Sequence, residues 1–176
     1  IIQTIRRMAP GDSIVCTDVG QHQMWSIQHF HFDYPGQLLT SGGFGTMGFG
    51  LGAAMGSAVG NPGKVVVQCT GDGCFRMNCH ELCTAEHYNI PVITVIFNNR
   101  TLGMVRQWQN LIYNKRFSQT DLDRGPDFVK LAEAYGIPYE AVREGLLKAF
   151  VPGRMEHYTS ADGQISVIVD YSHNGM

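Results

Sequence analysis

Two short polar clusters, each placed directly after an apolar run, are the residues best suited to chemistry in this 176-residue chain. Gly71-Asp72-Gly73 follows the run Lys64–Thr70, and Asn98-Asn99 follows Val92–Phe97, with 24 residues between the two clusters. The Asp72 carboxylate and the side-chain amide oxygen of Asn99 are hard oxygen ligands. Joined by one backbone carbonyl, they suit Mg²⁺, an ion that keeps further positions for phosphate oxygens and water. Gly73 lets the backbone approach an anion, and a helix starting there would aim its free N–H groups at it. Either cluster alone reads as a tight turn or a loop. The metal reading rests on the pair.

The pair works only if the secondary structure brings it together. Ser13–Thr17 is a short strand-like run, Lys64–Thr70 and Val92–Phe97 are buried strands, and Ile165–Val169 is a last strand. Helices are expected from the Gly-rich stretch at Gly42 to about Val59 and over Cys74–His87, Met104–Tyr113 and Asp127–Tyr135, with another before Phe150. The opening Ile1-Ile2-Gln3-Thr4-Ile5-Arg6-Arg7 reads as a helix entered without a cap, in a chain cut from something longer. Continuous apolar strands separated by helices predict a doubly wound α/β fold, mainly parallel, with helices on both faces of the sheet. Residues 1–176 are read as one domain. Such sheets bind ligands at the carboxyl ends of their strands, where both clusters lie. One helix between the two strands is expected to leave their ends on the same rim.

Composition narrows the field. A formal charge of −2 gives no basic footprint for nucleic acid, and the longest apolar runs are strand-sized, far short of a membrane span. Charged residues make up 16% of the chain, below the roughly 25% of an average soluble domain, which suggests surface that faces protein or cofactor. Cys16, Cys69, Cys74, Cys79 and Cys83 are odd in number and follow no secretory signal. They read as reduced thiols in a cytoplasmic protein. No C-x-x-C pair offers a zinc site.

Gly43-Phe44-Gly45-Thr46-Met47-Gly48 matches the dinucleotide fingerprint literally. Pro35 to Ser41 ahead of it is a poor strand, and no acid falls about 20 residues on. Gly48, Gly52, Gly56 and Gly60 recur every fourth residue, a smooth stripe expected to pack closely on a neighbouring element.

Gly71-Asp72-Gly73 with Asn98-Asn99 resembles the signature of thiamine-diphosphate enzymes, and the resemblance to acetolactate synthase catalytic subunits runs from Asp12 to Pro138. It implies Asp72, Asn99 and the main chain of Thr101 as Mg²⁺ ligands. Gly20-Gln21-His22-Gln23-Met24-Trp25 looks like the diphosphate-binding segment, with Gln21 and His22 on the cofactor beside Gly71, Gly73 and the Cys74 N–H. Ser41 to Gly48 resembles the loop for the aminopyrimidine, with the Gly45 carbonyl as acceptor and Met47 as the wedge that bends the cofactor. Gly103 to Gln109 resembles the segment that closes over the site, with Met104 and Trp108 lining the substrate pocket. Pro126 to Gly136 completes the likeness.

The implied activity is that of a transferase in branched-chain amino acid biosynthesis. The cofactor acts as electron sink; pyruvate loses CO₂, and its two-carbon unit joins pyruvate or 2-oxobutanoate. The implied parent is a homo-oligomer, dimer or tetramer, that carries FAD mainly on another domain and leaves room for a regulatory subunit. Its activating Glu belongs to the pyrimidine-binding domain of a partner subunit, so no catalytic acid or base is expected here, and the isolated chain should bind cofactor weakly and turn over nothing. Other readings are a related 2-oxo acid decarboxylase or carboligase, a nicotinamide dehydrogenase, and a non-catalytic assembly module of the same fold. The sequence departs from the family at Gly52, where Pro is common, at Cys74, where Ser is usual, and at Cys79, His80, Cys83 and His87. The likeness fades beyond Tyr139, and no role is carried into Glu140–Met176.

Overall fold

The computed structural model describes residues 1–137 together with 155–159 and 166–170. The elements in chain order are α1 (Ile2–Met8), β1 (Ile14–Thr17), α2 (Gln21–His29), β2 (Leu38–Thr40), α3 (Phe49–Gly60), β3 (Val66–Gly71) and α4 (Asp72–Asn78). They continue as α5 (Leu82–His87), β4 (Ile93–Phe97), α6 (Gly103–Leu111), α7 (Phe128–Ala134), β5 (Met155–Thr159) and β6 (Ser166–Asp170). One sheet runs in the order β2-β1-β3-β4-β6-β5. All its pairings are parallel except β5 with β6. The helix expected before Phe150 lies outside the described residues.

The alternation of side chains along each strand explains the two-sided burial. Ile14, Cys16, Val66 and Ile96 point to one face, where α3 contributes Leu51, Ala54, Met55 and Ala58, and Phe75, Leu82, Phe128 and Ala132 complete the layer. Val15, Val67, Cys69, Val95 and Phe97 point to the other, under Ile2 and Ile5 of α1 and under Phe30. This is the doubly wound, mainly parallel α/β architecture that the strands called for.

Three expectations change in detail. The helix read over Cys74–His87 starts earlier, at Asp72, and breaks at a 3₁₀ turn over Cys79–Glu81; Asn78, at φ −135°, leaves the helical region there. The Gly-rich fingerprint does follow a strand, because Leu38–Thr40 pairs in parallel with β1. It is a three-residue edge strand, and its poor propensity hid it. The glycine stripe packs closely only at its first member, Gly48, where a Cβ would lie 3.1 Å from Met77 Cβ of α4. A Cβ added at Gly52, Gly56 or Gly60 would meet nothing within 4 Å among the described residues. Along the rest of the helix the larger apolar side chains turn to the sheet, and the tight glycine within α3 is Gly50, where a Cβ would lie 2.9 Å from Asp18 Cγ.

Gly50 is tight because Asp18 does the work of a distant cap. No side chain within α3's own N-terminus caps it. Instead the buried Asp18, just after β1, accepts from the Gly50 N–H at 3.0 Å and from Gln68 Nε2 at 3.3 Å. Gln68 in turn accepts from the Thr94 hydroxyl at 2.9 Å. A free helix N–H and a carboxylate are thus satisfied together, and the loop after β1 is tied to α3 and to side chains within β3 and β4.

Candidate functional site

The chain winds outward from β1 to β2 in one direction and from β3 to β4 in the other, so the sheet reverses between β1 and β3. Open parallel sheets take their ligands outside the strand ends at such a reversal. A cleft opens at this place. Its walls are the β1–α2 junction at Val19 to His22, the β3–α4 junction at Gly71 to Cys74, and the segment Asn99 to Val105 beyond β4, with Met47, Trp25 and Phe97. The cleft encloses about 100 Å³, whereas small-molecule sites usually hold roughly 300–1,000 Å³.

Register places the two clusters side by side. Gly71 and Phe97 are partners in the β3–β4 ladder, so the residues that follow them leave the sheet as neighbours. Asp72 is 1% exposed. Burial pushes its carboxyl above the usual range, against the opposing pull of Arg76 and the Asp72 and Gly73 main chain. A carboxylate kept short of water and only partly compensated is suited to a cation.

Asn99 Oδ1 accepts from the Thr101 N–H at 3.0 Å. Thr101 is also bridged to Asp121 in antiparallel fashion, and the bridge's bonds run from the Leu102 N–H to the Thr120 carbonyl and from the Leu122 N–H to the Arg100 carbonyl, both at 2.8 Å. In that pattern a bridged residue turns its own N–H and C=O away from the partner strand. The Thr101 carbonyl therefore lies on the Asn99 side. Asp72, Asn99 and Thr101 all line the one cleft.

Across from them, the His22 ring edge is wedged between two glycines. A Cβ on Gly20 would lie 2.7 Å from its Cε1, and one on Gly71 would lie 2.9 Å away. Phe97 stacks on the ring at 6.2 Å. Burial holds His22 at a pKa of about 4 despite its bond to the Asp18 main chain, so the imidazole is neutral at pH 7. Its Nε2 is buried without a partner, which marks a place where a ligand atom is expected. The N-termini of α2 and α4 carry no side-chain caps, and both open on this crevice. Glycine walls, an orphaned polar nitrogen and uncapped N–H groups fit a diphosphate.

The other residues read from the sequence divide as follows. Gln21 lines the cleft, and its Nε2 donates to Gln107 Oε1 of α6 at 2.9 Å. Met47 stands over Gly73, with its Cε 3.7 Å from where a Cβ would be. Gly73, Cys74 and Met104 also line the cleft, and the Cys74 thiol donates to the Val19 carbonyl at 3.1 Å. Gly45 and Trp108 do not line it. Gly45 lies on the exposed loop with φ +68°, and Trp108 is 49% exposed.

Sequence reasoning missed the apolar lid over Gly73, formed by Leu102 and Leu122. It also missed Arg76, whose Nη2 donates to Asp72 Oδ2 at 3.3 Å. The i,i+4 spacing of Asp72 and Arg76 was a visible signal for that pair.

The family profile described as thiamine pyrophosphate enzyme, C-terminal TPP binding domain, matches residues 18–163. That match runs past Tyr139, where the likeness was read as fading. The acetolactate synthase isozyme 3 large subunit of Escherichia coli (strain K12) is 52% identical over 136 residues, which is 77% of this chain and 24% of that protein. A probable acetolactate synthase large subunit of Methanococcus aeolicus is 55% identical over 126 residues, 72% of this chain and 21% of the relative. The acetolactate synthase large subunit of Haemophilus influenzae is 50% identical over 136 residues, 77% and 24% of the two chains. The chain spans about a quarter of the length of the curated relatives it matches.

Proposed function

The chain belongs to the thiamine pyrophosphate enzymes, as a C-terminal TPP-binding domain, and from that premise we propose that it holds the diphosphate and Mg²⁺ of thiamine diphosphate in an acetolactate synthase. One observation carries the reading: Gly71 and Phe97 are register partners, and the residues after them put Asp72, Asn99 and Thr101 on one cleft. Asp72, Asn99 Oδ1 and the Thr101 carbonyl would hold the metal. Gln21, His22 Nε2 and the N–H groups of Gly73 and Cys74 would hold the diphosphate. Met47 would wedge the bent cofactor and the Gly45 carbonyl would accept from its amine. Met104 and Trp108 would face substrate.

When bound, the cofactor supplies an electron sink for decarboxylating a 2-oxo acid. This chain's residues bind, orient and exclude water. None moves a proton: neutral His22 has a ligand-binding place but no carboxylate partner. The small enclosed volume supports a half-site, closed by the pyrimidine-binding domain of a partner subunit that brings the activating Glu. The parent would take pyruvate, with pyruvate or 2-oxobutanoate as second substrate, and would be a homo-oligomer that carries FAD on another domain, with a regulatory subunit as a further partner.

Among the described residues no helix is long and apolar enough to cross a membrane, and the five cysteines are free. With these, a cytoplasmic setting is the natural one. Residues 1–176 would form one domain of that enzyme.

The test is calorimetry with thiamine diphosphate and Mg²⁺ on the protein and on Asp72→Ala. Heat that needs both ligands and vanishes in the variant supports the reading; equal heats in both proteins, or none in either, would end it.

A further inference from the structure

Arg76 lies one turn beyond Asp72 on α4 and holds two oxygens with one nitrogen. Its Nη2 donates to Asp72 Oδ2 at 3.3 Å and to the Leu122 carbonyl at 3.0 Å. Leu122 donates in turn to the Arg100 carbonyl, next to Thr101. A chain of hydrogen bonds therefore runs from the Asp72 carboxylate, through Arg76 and Leu122, to the Arg100 carbonyl, one residue before Thr101. A Cβ on Gly125 would lie 3.2 Å from Nη2, and Nε is buried with no acceptor. Leaving a buried donor unpaired costs stability.

We propose that Arg76 is a positioning residue of the metal site, which fixes the Asp72 carboxylate relative to the Asn99–Thr101 segment by tying α4 to the Leu122 main chain. This rests on reading Asp72 and Thr101 as Mg²⁺ ligands. A guanidinium beside a ligand carboxylate also repels the cation, and that effect has the opposite sign. The Arg76 side chain is 25% exposed and its contact with Asp72 is long, so solvent limits the charge effect to about fivefold. Losing an outer-shell partner usually weakens metal binding about 10- to 100-fold. Positioning wins.

Mg²⁺ is titrated calorimetrically into the protein at saturating thiamine diphosphate, in wild type, Arg76→Met, Arg76→Lys and Asp72→Asn. Each metal-free protein is also melted. Both Arg76 variants are expected to bind Mg²⁺ at least about 10-fold more weakly, with metal-free melting temperatures close to wild type. Lys keeps the charge but not the planar fork, so it should not rescue. Electron paramagnetic resonance of Mn²⁺ in the same site should show altered coordination in both variants. Wild-type affinity in Arg76→Lys, tighter binding in Arg76→Met, or a loss under about fivefold in either overturns the proposal. Wild type that binds no Mg²⁺, or Asp72→Asn that binds it normally, overturns the metal reading beneath it.

Discussion

Gly71 and Phe97 stand opposite each other at the carboxyl ends of β3 and β4. Paired strands lie about 4.8 Å apart, so residues 26 positions apart in sequence leave the sheet as neighbours. Asp72 and Asn99 inherit that closeness from a ladder of hydrogen bonds, before any ligand is considered. The site is thus a consequence of the fold, and its costs fall on the fold too.

The first cost falls on Asp72. Burial raises its carboxyl above the unfolded value of 3.8, so the native state holds the proton more tightly than the unfolded chain. Stability from this group is full below 3.8 and declines as pH rises through the raised value. In metal-free protein Asp72→Asn should remove that decline and raise the melting temperature at neutral pH. Melting curves from pH 4 to 7 check it. A less stable Asp72→Asn would contradict this reading.

His22 acts in the opposite sense. Burial lowers it from 6.5 to about 4, so the unfolded state binds the extra proton first. Its contribution is present above 6.5 and is lost as pH falls towards about 4. The loss is on the order of 3 kcal/mol at most. His22→Gln should flatten the acid limb of the stability curve in urea titrations at pH 4, 5 and 6.5. An unchanged acid limb would mean that His22 is not the group responsible.

Two glycines of one helix should respond in opposite ways. Gly56 has open space around it, so Gly56→Ala should stabilise α3 by about 0.5–1 kcal/mol through helix propensity alone. Gly50 lies against Asp18, so Gly50→Ala should cost about 1–3 kcal/mol. Denaturant unfolding measures both. A destabilising Gly56→Ala would restore the close-packing stripe read from the sequence.

Thiol chemistry separates the cysteines. Burial pushes Cys16 up to about 11 and Cys69 and Cys74 up to about 12, whereas Cys83 is exposed. Thiolate is the reactive form. Iodoacetamide at pH 8 followed by peptide mass mapping should find Cys83 modified first and those three untouched until unfolding. Early label on Cys74 would contradict its burial beside the cleft.

What was legible in the sequence follows its physical signal. β3 and β4 were readable because strands buried on both faces give mostly apolar, β-branched runs, interrupted only by Gln68, Thr70 and Thr94. α2 was not, since its buried residues are His22, Gln23 and Ser26, which leave no apolar stripe. β2 was hidden by its three-residue length at a sheet edge. In the site, the motif spacing exposed Asp72 and Asn99. Arg76 went unweighed because an i,i+4 pair usually marks a solvated helix surface, and only burial of Asp72 gives this one meaning. The wedge of His22 between Gly20 and Gly71 depends on contact across two strands, which no local pattern announces.

The most direct test of the account is a crystal structure of the protein with thiamine diphosphate and Mg²⁺. One cation should lie about 2.0–2.1 Å from an Asp72 carboxylate oxygen, Asn99 Oδ1 and the Thr101 carbonyl, with diphosphate oxygens completing its shell and His22 Nε2 within hydrogen-bonding reach. A cofactor bound elsewhere, or a cation that leaves Asp72 or Asn99 uncoordinated, would contradict it.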